Sequence, residues 1–234
     1  MLETLYAKTF LILGGQLVVT WLSTILMLGW FRRLYYAKTA WVDGETTLDG
    51  QLDIDLDWEF VKPYFWALLV LDVVVFFALL NYRDNMTIGL PLFTLWSVLT
   101  GFELALCLVS VDENLGGKVL ALTALITLAA GLIGAQSGID FSFLRGGLFS
   151  ALLLLIGFGL IRIFFSIPRW IQRLGAFAGV IVFTGYLLFD FNRLSKASAI
   201  AAADTWPTAM RLAISIYLDI INLFLDLLDL LSKH

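Results

Sequence analysis

Residues 9–31 read TFLILGGQLVVTWLSTILMLGWF, a run of apolar and small polar side chains with no charge anywhere in it. At 1.5 Å per residue a helix of that length clears the roughly 30 Å hydrocarbon layer of a bilayer. In lipid a helix satisfies its own backbone groups, so the stretch predicts a membrane-spanning α-helix. A cleavable secretory signal has an apolar region of only about 7–15 residues, and this run is therefore expected to be retained.

Six further runs pass the same length test, near 64–82, 88–111, 118–138, 147–167, 170–191 and 209–231. Composition points the same way. The chain has 234 residues, 60% of them hydrophobic and 15% charged, with a mean hydropathy of +0.91. A soluble domain carries nearer a quarter charged residues. The expected fold class is an all-α integral membrane protein, a bundle of seven transmembrane helices forming one domain over 1–234, with the lipid bilayer as its first partner. The link Tyr82-Arg83-Asp84-Asn85 is short enough to make spans two and three an antiparallel hairpin. Pro168 separates spans five and six, with Arg162, Arg169 and Arg173 around it.

One sizeable polar segment interrupts this pattern, the acidic loop 40–61. It holds Asp43, Glu45, Asp49, Asp53, Asp55, Asp57 and Glu59. From Gln51 to Phe60 apolar and acidic residues alternate, which is strand periodicity. Asp49-Gly50 is a type I′ turn signal, with Thr46, Thr47 and Leu48 as the partner strand. A small acidic β-hairpin outside the bilayer is expected here. A calcium loop of the EF-hand type starting at Asp53 would need Gly at its sixth position and Glu at its twelfth. Trp58 and Tyr64 stand there, so the acids read as a solvated face and not as a metal site.

Several function classes find no support. A net charge of −4 and a pI near 4.9 leave no basic surface to displace counterions from nucleic acid. Cys107 is the single cysteine and His234, the last residue, the single histidine, which removes the usual metal and nucleophile constellations. Leu13-Gly14-Gly15 and Arg145-Gly146-Gly147 lack the context and the Lys-Ser/Thr of a phosphate loop. Neither an enzyme nor a resident cofactor is expected. Asn85-Met86-Thr87 matches a glycosylation sequon, in a link too short to carry much weight. Gly175 and Gly179, a small-xxx-small pair, read as a helix-packing surface.

The chemistry lies in ionisable residues within the spans, which are costly there and are functional candidates by default. Four acids qualify: Asp72, Glu103, Asp190 and Asp219. From Asp219, the residues Asn222, Asp226 and Asp229 follow at i+3, i+7 and i+10, on one stripe of the last helix. Tyr186 at i−4 and Arg193 at i+3 share the face of Asp190. If Asp190 and Asp219 meet across two helices, their carboxyls share one low-dielectric site and hold a proton between them over part of the physiological range. One proton gives a hydrogen-bonded bridge; its loss gives repulsion and opening.

The last span, Ala213-Ile214-Ser215-Ile216-Tyr217-Leu218-Asp219-Ile220-Ile221-Asn222-Leu223-Phe224-Leu225 with Leu227-Leu228 after it, resembles the closing "LYLDIINLFL..LL" signature of the Bax-inhibitor (transmembrane Bax inhibitor motif) family. Phe183 to Arg193 is similar to that family's "FS.YLLYDTQ", with Phe191-Asn192 in place of Thr-Gln. Gly138 to Leu144 resembles its "DLS.L" turn, and Tyr6-Ala7-Lys8-Thr9-Phe10 through Leu26 resembles the first span of bacterial members. The resemblance implies a seven-helix bundle with the last helix surrounded by the other six. It also implies a pH-sensitive calcium leak gated by paired aspartates, which by motif are Asp190 and Asp219. The sequence departs from the pattern in span two, where Asp72 stands and the family places a basic residue, and in having Glu103 and a longer first loop.

The leading expectation is a cation leak, with calcium as the transported ion, in a bacterial cytoplasmic membrane or, second, an organellar one. Two rivals stay open. One is a non-conducting accessory subunit bound to a membrane-protein complex or membrane protease; the other is a proton-coupled transporter of a small solute.

Overall fold

The computed structural model describes residues 4–46 and 52–232. Seven helices run in the order α1 (Leu5–Tyr36), α2 (Trp58–Tyr82), α3 (Met86–Leu108), α4 (Glu113–Gln136), α5 (Leu144–Phe164), α6 (Arg169–Ser198) and α7 (Trp206–Leu231). Strands β1 (Val42–Thr46) and β2 (Leu52–Leu56) lie between α1 and α2. Helices α1 to α6 are long and apolar enough to cross a membrane. Helix α7, which carries Arg211, Asp219, Asp226 and Asp229, does not meet the same test, so six spans satisfy it rather than the expected seven. Large apolar side chains stand exposed along these helices, among them Leu26, Leu125, Leu128 and Leu154. Soluble proteins rarely leave such surface open; here lipid covers it. The chain is a helical membrane protein.

The residues form two compact units, one of 10–114 and one of 1–9 with 115–234. In the first, α1 ends in a Schellman-type turn: Thr39 N–H donates to the Leu34 carbonyl while Lys38 takes a left-handed φ of 54°. The strands then pair antiparallel with Val42 opposite Leu56 and Thr46 opposite Leu52. Ile54 and Val42 are buried with Phe31 and Ala105, and Leu52 and Leu56 pack against the same cluster. Asp43, Asp53 and Asp55 point away, exposed.

Two sequence expectations change here. The alternation read as a strand to Phe60 stops at Leu56, because Asp57 becomes the N-cap of α2 and accepts a hydrogen bond from the Glu59 N–H. An acid with helical residues after it is a helix start as much as a strand residue. The partner strand begins at Val42, earlier than expected, and is described as far as Thr46, while Thr47, Leu48 and the Asp49-Gly50 turn lie outside the described residues. The sequon also has a local cause: Asn85 caps α3, accepting from the Thr87 N–H. Only Arg83, Asp84 and Asn85 link α2 to α3, so the two helices return antiparallel against each other.

A polar seam joins α1 to α3 inside this unit. Gln16 Nε2 donates to Thr94 Oγ1 at 3.1 Å, and Ser97 Oγ donates to Gln16 Oε1 at 3.0 Å. Thr24 Oγ1 donates to the Gly101 carbonyl at 3.0 Å. The helices come this close because Gly101 has no side chain: a Cβ there would sit 2.6 Å from both Ser23 Cβ and the Thr20 carbonyl oxygen. Gly101→Ala is therefore expected to destabilise the protein by about 1–3 kcal/mol, read as a lower midpoint of denaturation in detergent. Beside the hairpin an apolar cavity of about 440 Å³ is lined by Met27, Trp30, Phe31, Trp41, Tyr64 and Leu68 among others, with no carboxylate in its wall.

Candidate functional site

In the second unit α7 packs along α6. Of the seven helices it divides most clearly into an apolar and a polar face, and it has thirteen buried residues against nine each in α3 and α6. Its start is set by Thr205, whose side chain accepts from the Thr208 N–H. Lys8, at the start of α1, holds the preceding loop by donating to Asp204 Oδ1 at 2.8 Å.

Asp190 on α6 and Asp219 on α7 come together. Both are buried, with 3% and 6% of their surface exposed, and the Asp190 carboxyl lies within hydrogen-bonding reach of Asp219 and of the Ser215 hydroxyl. Arg193 Nη1 donates to Asp190 Oδ1 at 3.4 Å. The arginine side chain is 47% exposed, so its charge is partly spent on solvent. Tyr186 stands where its phenol feels both carboxyls. Asp219 Oδ2 is buried with no hydrogen-bond partner among the described residues. A buried carboxylate oxygen in that state is costly and is ready to take a proton or a cation.

The rest of the acidic stripe divides along α7. Asn222 Nδ2 donates back to the Leu218 carbonyl of its own helix at 2.8 Å and takes no part in the pair. Asp226 lies over Gly179 of α6, where an added Cβ would fall 2.1 Å from its Oδ2. Asp229, at the helix end, receives Arg162 Nη1 at 2.7 Å and Arg169 Nη1 at 3.5 Å. The small pair Gly175 and Gly179 is thus split between neighbours, Gly175 seating Phe158 of α5 and Gly179 seating Asp226. Asp72 and Glu103 belong to the other unit, on α2 and α3. Asp72 is within hydrogen-bonding reach of the Trp96 indole and close enough to Glu103 for their charges to interact. Among the described residues, each has one buried oxygen without a partner, Asp72 Oδ1 and Glu103 Oε1.

Asn192, adjacent to the pair, does structural work that its sequence position hides. Its Nδ2 donates to the carbonyls of Gly134 at 3.0 Å and Ile139 at 2.9 Å, and its Oδ1 accepts from the Phe141 N–H at 3.3 Å. One buried amide therefore brackets the end of α4 and the turn before α5 onto α6. Gly134 permits the approach, since a Cβ there would sit 2.5 Å from the Leu188 carbonyl oxygen. Outside the spans, Lys196 donates to the Asp140 carboxylate, which also accepts from the Ser142 N–H. The Lys196 hydrogen bond, with those from Ser142, holds the Asp140 carboxyl well below the usual range. A depressed carboxyl stabilises the fold above its unfolded value, so this contribution is lost only at strongly acid pH.

Comparison with known proteins adds a second line of evidence. The sequence profile of the family described as "Inhibitor of apoptosis-promoting Bax1" matches residues 2–234. An "uncharacterized membrane protein" of Streptococcus pyogenes serotype M1 is 29% identical over 174 residues, covering 73% of this chain and 75% of its own. Protein LIFEGUARD 1 of Arabidopsis thaliana is 30% identical over 172 residues, 72% of this chain and 71% of its own. Protein LIFEGUARD 4 of the same plant is 30% identical over 169 residues, with 70% and 66% covered.

Proposed function

This chain belongs to the Bax inhibitor family, and from that premise we propose that it is a pH-sensitive cation leak, carrying calcium, gated by Asp190 and Asp219. The observation that carries the reading is the meeting of two buried carboxyls on adjacent helices, one of them with an oxygen that no described residue satisfies. With one shared proton the pair is a hydrogen bond between α6 and α7. Without it, two like charges repel in a low-dielectric setting and the helices are pushed apart. Arg193 and Tyr186 tune the pair, and Ser215 gives Asp190 a further hydrogen-bonding group.

The reading takes α7 as the seventh span, its acids turned toward α6 rather than lipid, and places the acidic hairpin outside the bilayer. It assigns no catalytic role to any residue and no resident cofactor. The host is read as a bacterial cytoplasmic membrane. Purified protein in liposomes loaded with a calcium dye is expected to pass calcium at a rate that changes between about pH 5 and about pH 8. No flux at any pH from verifiably folded protein would refute the leak and leave the accessory subunit, whose docking face would be the exposed acids of the hairpin. A proton current that appears only with a small solute would instead establish the transporter.

A further inference from the structure

We propose that the connection between α5 and α6 is a binding site for the phosphate of an anionic phospholipid. The site is independent of the acid pair and of any flux. Arg162, at the end of α5, and Arg169 and Arg173, in the first turns of α6, converge there, with Asp229 and Ser232 opposite them. Three guanidiniums face two carboxylates, Asp229 and Asp226, so the cluster keeps a positive excess even with both acids ionised. The excess sits on Arg173, which is exposed and, among the described residues, donates only to the Ser232 carbonyl, at 3.3 Å. Arg169 is committed through Nη1 and Nη2 to Asp229 and Ser232.

The level of this cluster in the membrane follows from the backbone. Residues 165–168 form the whole of the non-helical link between α5 and α6, and irregular backbone exposed to lipid is not tolerated within the hydrocarbon. The link therefore lies at the boundary, where headgroup phosphates are. The side chains around it agree. Phe164, Phe165 and Trp170 are 78%, 67% and 65% exposed, and exposed aromatics of this kind anchor at the interface. Exposed rings suit acyl chains and guanidiniums suit a phosphodiester, the two parts of an anionic lipid, and the planar arginine fork is well shaped for the second. The N-terminus of α6, with no side-chain cap, adds its positive end to the same place.

Native mass spectrometry of the full chain in detergent tests this, with phosphatidylglycerol and phosphatidylcholine of identical acyl chains. Phosphatidylglycerol is expected to be retained in preference. Arg173→Gln should weaken that retention about fivefold, the worth of one arginine near a charged headgroup, and Arg173→Lys should restore most of it. Lys196→Gln, toward the far end of α6 and about 35 Å from Arg173 along the helix, should leave that retention unchanged. Equal retention of the two lipids, no effect of Arg173→Gln, or an equal loss in Lys196→Gln would each overturn the proposal. So would displacement of phosphatidylglycerol by inorganic phosphate at matched concentration, which would mark a site for free anions. Arg173 holds no carboxylate among the described residues, so its replacement leaves the Arg162 and Arg169 bridges to Asp229 in place, and an unchanged melting midpoint verifies that.

Discussion

Asp219→Asn is expected to flatten the pH response of calcium flux and to hold the rate near its acid-pH level throughout. Asparagine keeps the shape of aspartate but cannot ionise, and its amide offers Asp190 a permanent donor, as the shared proton does. Two like charges about 4 Å apart at an effective dielectric near 20 repel by about 4 kcal/mol. A gate biased by even a third of that changes its open population about tenfold. At neutral pH the variant should therefore leak at least about tenfold less than the native protein, measured in dye-loaded liposomes at equal protein density. Tyr186→Phe, which removes a neighbouring hydroxyl and no charge, should shift the rate far less.

The second large effect falls on stability. Asn192→Ala removes three hydrogen bonds at once and leaves the Phe141 N–H and the Gly134 carbonyl short of a partner in a buried place, and the Ile139 carbonyl in a part-buried one. Leaving a buried polar group unsatisfied costs about 1–3 kcal/mol each. The Ile139 carbonyl is only part-buried and can turn to solvent, so a total of about 2–4 kcal/mol is expected, seen as a lower thermal midpoint in detergent. Asn192→Gln should recover little of it, because the longer side chain cannot meet the same three groups. A variant as stable as the native protein would show that the bracket is not needed.

These two residues also mark what can and cannot be read from the chain alone. Length and apolarity suffice to place α1 to α6, because the bilayer permits few alternatives to a helix. The facing of Asp190 and Asp219 is within reach of sequence too, since each acid interrupts an otherwise apolar helix. Asn192 is different. Its partners lie 51 to 58 residues away, and nothing local distinguishes it from an asparagine near a span end. The stripe on α7 is visible as periodicity, yet only tertiary packing reveals that Asn222 turns back on its own helix while Asp229 goes to Arg162 and Arg169. The hairpin shows the opposite failure. Alternation alone carries the strand to Phe60, whereas the capping role of Asp57 ends it early.

The decisive experiment on the gate is a double-mutant cycle on calcium flux: native protein, Asp190→Asn, Asp219→Asn and the double variant, each compared at about pH 5 and about pH 8. If the two carboxyls act as one proton-sharing latch, either single change removes the pH response and the second adds almost nothing. Effects that simply add, or a native pH response that survives in both single variants, would contradict the latch.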